Sequence, residues 1–117
     1  DGVGFEQAVA HLFIQEGYEV EHTPRSYDKG VDLVLQKDGK TILVQCKAYS
    51  GTVGVKEARE LLGAKSQWPH AAEIWIVALH GFTKSAREFA EDNSIKLISI
   101  MSDHLRFNLR FENGLIP

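Results

Sequence analysis

The chain has a single cysteine, Cys46, among its 117 residues, which excludes an internal disulfide framework and points to a reducing, cytoplasmic setting. No apolar run approaches the length of a membrane span, and no signal peptide opens the chain, so no membrane partner is expected. There are no repeats and no low-complexity segments. Met is missing from the first position, which is Asp1, as expected of a single domain that is a fragment of a longer protein. Positive charge is not in excess either. The net charge of −3 argues against a free-standing nucleic-acid clamp, which is usually basic. It leaves room for a metal-dependent nuclease, whose site is locally acidic until the ion arrives. The five histidines, His11, His22, His70, His80 and His104, have no zinc-ligand spacing. What remains is 44% hydrophobic and 25% charged, the composition of one globular domain large enough to bury a core.

The hydrophobic pattern gives the order of elements. Gly4 to Glu16 carries apolar residues at Phe5, Ala8, Val9, Leu12 and Phe13, the stripe of an amphipathic helix, and Gly17 is placed to end it. Tyr18 to Thr23 reads as a short strand before Pro24. Val31 to Lys37 and Thr41 to Ala48 are β-branched and aliphatic, joined by Asp38-Gly39, a strong hairpin signal. Val55 to Lys65 forms a second helix with Val55, Ala58, Leu61 and Leu62 inward, and Trp68-Pro69 breaks the chain. Glu73 to Leu79 is a buried strand, Thr83 caps a third helix through Asn93, and Ile95 to Ile100 is a further strand. Arg106 to Phe111 fits an edge strand or an appended helix. The order α-β-β-β-α-β-α-β implies an α/β fold, a mixed sheet flanked by helices.

Two of these strands carry polar side chains where aliphatics are expected: Asp32 in Asp28-Lys29-Gly30-Val31-Asp32, and Gln45 and Lys47 in Gln45-Cys46-Lys47. A two-residue loop at Asp38-Gly39 sets Lys37 against Lys40. Carried along the ladder, it puts Asp32 across from Gln45, about 5 Å apart at Cβ, with Lys47 diagonal on the same face. Val34 and Leu43 share that face; Val31, Leu33, Leu35, Ile42, Val44 and Cys46 take the other. A three-residue loop would set Asp32 against Cys46 instead. An acid, an amide oxygen and a lysine on a covered face must be satisfied somehow. One solution is a buried Asp–Lys ion pair helped by Gln45. The other is a phosphodiesterase site, because Mg²⁺ takes oxygen ligands and keeps several waters, and a lysine beside it stabilises charge on phosphate.

Gly4-Phe5-Glu6, Gly17-Tyr18, Asp28-Lys29-Gly30-Val31-Asp32-Leu33-Val34, Val44-Gln45-Cys46-Lys47 and Tyr49 together resemble the catalytic domain of Mrr-type restriction endonucleases. Glu60-Leu61-Leu62-Gly63 and Phe82-Thr83 with Ala86 extend the similarity, leaving only the last fifteen or so residues outside it. This is the branch of the PD-(D/E)XK nuclease superfamily in which Gln replaces the second acidic residue. The resemblance implies a restriction-endonuclease-like core and a Mg²⁺-dependent endodeoxyribonuclease in which Mn²⁺ substitutes. Asp32, Gln45 and the Cys46 carbonyl would bind metal, Lys47 would be the catalytic lysine, and Glu6 the outlying acid. Val31 stands where the family's eponymous Pro is found, and Gln45 brings no charge. Arg25, Lys29, Tyr49 and Lys56 are candidates for DNA contacts. Asp28 fits a turn cap, Gln67 lies near the expected cleft, and the Cys46 thiol belongs to the core. DNA is the implied partner, together with a separate recognition domain. Two alternatives share the residues: a catalytically degenerate nucleic-acid-binding or assembly module, and a Holliday junction resolvase acting as a homodimer.

Overall fold

A computed structural model describes residues 2–24, 30–103 and 105–112. Helix α1 runs over Gly2–Gln15, followed by strands β1 (Glu19–His22), β2 (Leu33–Lys37) and β3 (Lys40–Lys47). Helix α2 (Val55–Ala64) continues into a 3₁₀ turn, Lys65–Gln67; then come β4 (Ala71–Ala78), α3 (Lys84–Asp92), β5 (Ile95–Asp103) and β6 (Arg106–Phe111). The six strands form one sheet in chain order. Pairing is antiparallel from β1 to β3, parallel across β3, β4 and β5, and antiparallel again at β6. The expected element order holds, and Arg106–Phe111 is the edge strand rather than the helix.

Local chemistry accounts for the joints. Gly17, at φ +94°, lets α1 end in a Schellman motif: Tyr18 N–H donates to Phe13 O (3.1 Å) and Gly17 N–H to Ile14 O (3.0 Å). The hydrophobic contact that accompanies this motif is the edge-to-face pair Phe13–Tyr18, 5.5 Å between centroids. Asp38 and Gly39 both take positive φ (51° and 78°), the pattern of a type I′ turn, so the loop has two residues and Lys37 pairs with Lys40. The Thr83 hydroxyl accepts the Ala86 N–H at 3.1 Å and caps α3.

The sheet separates two cores. On one face α1 lays Val9, Ala10 and Phe13 over Leu33, Leu35, Ile42, Val44, Trp75, Val77 and Ile98. On the other, α2 and α3 cover Val34, Leu43, Ile74, Ile76, Ala78 and Leu97 with Ala58, Leu61, Ala64, Ala86 and Ala90. β4 is buried on both faces, which explains its near-continuous apolar run. The buried stripe of α1 is Val9-Ala10-Phe13, with Ala8 exposed. Val9 and Phe13 of the expected stripe are its buried centre, Phe5 and Leu12 are half-buried beside them, and burial extends to Ala10 rather than Ala8. That placement matters for Glu6, which sits three, four and seven residues before the three buried positions and so shares their face. β6 is tied to the body by Glu112, which receives Arg87 Nη2 (2.7 Å) on one carboxylate oxygen and Ser99 Oγ (2.8 Å) on the other.

Candidate active site

The expected register holds for five pairs, Leu33↔Val44 through Lys37↔Lys40, and then the chain departs from it at Asp32. Val44 already faces Leu33, yet its carbonyl also accepts the Asp32 N–H at 2.8 Å. Asp32 is thus one residue too many on its side of the ladder, the arrangement of a β-bulge. The consequence is a change of face. Val31, expected beside Leu33 and Leu35, packs instead in the α2/α3 core with Val34 and Leu43. Asp32 itself does not stand across the ladder from Gln45; its Oδ2 accepts the Cys46 N–H at 2.7 Å. The sequence alternation could not reveal this, because a bulge is invisible to a period of two.

Asp32 is held on several sides. Its carbonyl accepts the Thr23 N–H at 3.0 Å, and the Thr23 hydroxyl donates to Val31 O at 2.5 Å. Thr23 went unrecognised in the sequence, where only its position just before Pro24 set it apart. A carboxylate that accepts a backbone N–H in a fixed geometry is oriented before any ligand arrives.

Gln45 stands two residues before the end of β3, with its side chain fully buried on the Leu43 side of the sheet. Neither Oε1 nor Nε2 has a hydrogen-bond partner among the described residues. Such a buried amide costs about 1–3 kcal/mol, so an orphaned one calls for an explanation. Gly30 lies over it: a Cβ at that position would stand 2.7 Å from Nε2, and Gly30 has φ +93°. Only glycine suits both conditions. Gly30→Ala is expected to destabilise the protein by about 1–3 kcal/mol through the backbone alone, with the clash against a packed amide adding to it. Urea unfolding of the metal-free protein measures the loss.

Lys47 ends β3. Its carbonyl accepts the Leu79 N–H at 3.1 Å, which joins the exits of the parallel strands β3 and β4. Its ammonium lies 5.4 Å from the centre of the Tyr49 ring, within cation–π range. Beyond it the two loops stay together, since Val53 N–H donates to Gly81 O and Thr83 N–H to Val53 O, both at 2.9 Å. The carboxyl ends of parallel strands are where open α/β sheets bind ligands.

Glu6 approaches from α1. Its Oε1 is 2.8 Å from His22 Nδ1, across the last residue of β1. The Cys46 thiol registers both acids: burial pushes its pKa well above the usual thiol range, and the charges of Asp32 and Glu6 raise it further. That thiol is packed with the α1 core.

Asp32, Gln45, Cys46, Lys47 and Glu6 therefore converge on one end of the sheet, with Glu6 and Gln45 belonging to opposite faces. Lys56, in the first turn of α2, and Tyr49 are exposed. Arg25, Lys29 and Asp28 lie outside the described residues. Among the described residues no three His, Cys, Asp or Glu side chains gather as a metal cluster. The oxygen donors available are two carboxylates, the Gln45 amide and the Cys46 carbonyl. A hard cation such as Mg²⁺ accepts a set of that kind, whereas zinc would ask for nitrogen or sulfur.

A mixed sheet between helices, with an acid on a bulge and a Gln-x-Lys strand beside it, defines a restriction-endonuclease-like nuclease domain. The restriction endonuclease family model of the Mrr catalytic domain matches residues 1–102, and the chain belongs to that family. β6 falls beyond the matched region. A protein of Schizosaccharomyces pombe, described as uncharacterized and mitochondrial, is 33% identical over 92 residues, covering 73% of this chain and 37% of the yeast protein. The crystal structure of AF1548, a protein of unknown function, superposes with a TM-score of 0.71 at 23% identity, over 80% of this chain and 55% of that one. The latter likeness speaks for the fold. The chain thus spans little more than a third of the yeast relative's length. Among the described residues no helix is long and apolar enough to cross a membrane.

Proposed function

We propose that this domain is a divalent-metal-dependent endodeoxyribonuclease that hydrolyses DNA phosphodiester bonds and leaves a 5′-phosphate. The observation that carries the reading is the Gln45 amide, fully buried and unpartnered among the described residues, in the strand whose next N–H is held by Asp32. Asp32, Gln45 Oε1 and the Cys46 carbonyl would hold Mg²⁺, or Mn²⁺ in its place. When bound, the ion would polarise the scissile phosphate and acidify a water.

The chain's own groups supply the rest. The bulge fixes Asp32 so that its carboxylate meets the ion without reorganising. Lys47 extends from the strand end toward the phosphate and stabilises the negative charge that grows on the phosphorane. Glu6 orients the attacking water from the α1 side. Arg25, Lys29, Tyr49 and Lys56 contact the DNA backbone, which positions the duplex without reading its sequence. Recognition of a site then belongs to a separate domain, as the greater length of the yeast relative allows, and this reconciles the acidic balance of the chain with a DNA substrate. A lone cysteine suits a reducing compartment such as the cytoplasm.

Incubation with supercoiled plasmid and Mg²⁺ or Mn²⁺ tests this reading. Nicking by the wild type that is lost in Asp32→Asn and Lys47→Ala supports it. Equal activity in all three sinks it. A wild type that binds DNA but neither Mn²⁺ nor cuts is the degenerate binding module instead.

A further inference from the structure

The histidines, which lack any ligand spacing in the sequence, include one that the fold sets against the site. We infer that His22 is a positioning residue for Glu6, selecting the side-chain conformation in which the outlying acid faces the metal and its water; the inference rests on the metal-dependent reading above. His22 is the last residue of β1 and pairs with Leu33, which puts it one strand away from the bulge at Asp32. Thr23, the next residue, holds the Asp32 carbonyl. The 2.8 Å contact from Nδ1 to Glu6 Oε1 therefore ties α1 to the same short stretch that fixes Asp32.

Two observations make this more than a surface ion pair. Glu6 lies on the buried stripe of α1 rather than on its outer face, and its side chain is only 21% exposed. Its partner sits on a different element, sixteen residues away, so the contact is made by the fold and not by helix spacing. An exposed pair that only decorated the surface would contribute little to stability and nothing to metal binding. By contrast, groups that orient a metal-ligating carboxylate change affinity or activity roughly 10–100-fold. With the proton on Nδ1, His22 donates to Glu6 Oε1 and leaves Oε2 for the metal-bound water.

The experiment compares wild type, His22→Leu, His22→Asn, Glu6→Gln and the double variant His22→Leu/Glu6→Gln. Mn²⁺ affinity is read by electron paramagnetic resonance titration, alongside kcat and KM for plasmid nicking. His22→Leu is expected to weaken Mn²⁺ binding and lower kcat by about tenfold, with KM for DNA unchanged. His22→Asn, whose amide nitrogen stands close to the position of Nδ1, restores most of both. In the Glu6→Gln background His22→Leu has no further effect. A His22→Leu protein with wild-type Mn²⁺ affinity and kcat overturns the inference while leaving the nuclease reading intact, as does an equal loss with Glu6 already replaced. A wild type that neither binds Mn²⁺ nor cuts DNA overturns the nuclease reading, and this inference with it.

Discussion

Gln45→Met is expected to make the metal-free protein more stable by about 1–2 kcal/mol and to abolish its response to metal. Stability and activity move in opposite directions here for one physical reason. The Gln45 side chain has no exposure, and its two polar atoms find no partner among the described residues. Folding strips the amide of water and returns no hydrogen bond from the described residues. Methionine has a similar length and no group to satisfy, and its flexible thioether fits an irregular space. Residues that cost stability in the empty protein are those retained for what they bind. Urea unfolding without metal measures the gain. Melting with and without Mn²⁺ measures the other half, since an ion that binds only the folded state stabilises it by mass action. Wild type should melt higher with Mn²⁺ and Gln45→Met should not, and nicking should fall by about 10²-fold or more. A Gln45→Met protein that is less stable than wild type would mean that the amide is satisfied in solution.

The second large effect separates the roles of Asp32 and Lys47. Asp32→Asn keeps an oxygen for the Cys46 N–H, so the bulge survives and stability changes by only about 1 kcal/mol. Asp32→Ala loses that bond as well and confounds fold with function. With the charge gone, Asp32→Asn should lose Mn²⁺ binding and nicking together. Lys47→Ala should keep Mn²⁺ binding and lose about 10²–10³-fold in kcat, the scale of one preorganised group that stabilises charge in the transition state. Among the described residues the Lys47 ammonium lies over the Tyr49 ring and in no ion pair with a carboxylate, and its flexible stem can carry it onto phosphate. Loss of Mn²⁺ binding in Lys47→Ala, or its survival in Asp32→Asn, contradicts the assignment.

Why did the strands come through in the sequence while the site's inner geometry did not? The Asp38-Gly39 turn is decided by two residues that tolerate positive φ, and it sets the β2–β3 register for five pairs. The α1 terminus, the Thr83 cap and the double burial of β4 are equally local. The bulge is not. It depends on Thr23 closing over Asp32 from eight or nine residues upstream, and on an Asp carboxylate taking a ladder N–H that a carbonyl would otherwise hold. Val31 changes face as a result, against the alternation of its strand. The Glu6–His22 contact spans sixteen residues and two elements, and depends on how α1 seats on the sheet, where Phe13 packs against Trp75. The candidate residues were thus nameable as a set through their resemblance to a family, whereas their arrangement belongs to tertiary packing.

The most direct measurement is a crystal structure of the protein soaked in Mn²⁺, with the ion located by anomalous scattering. The account predicts one peak at the end of β3, coordinated by Asp32, by Gln45 Oε1 and by the Cys46 carbonyl. A peak that leaves Gln45 unligated, or no peak there at millimolar Mn²⁺, contradicts it.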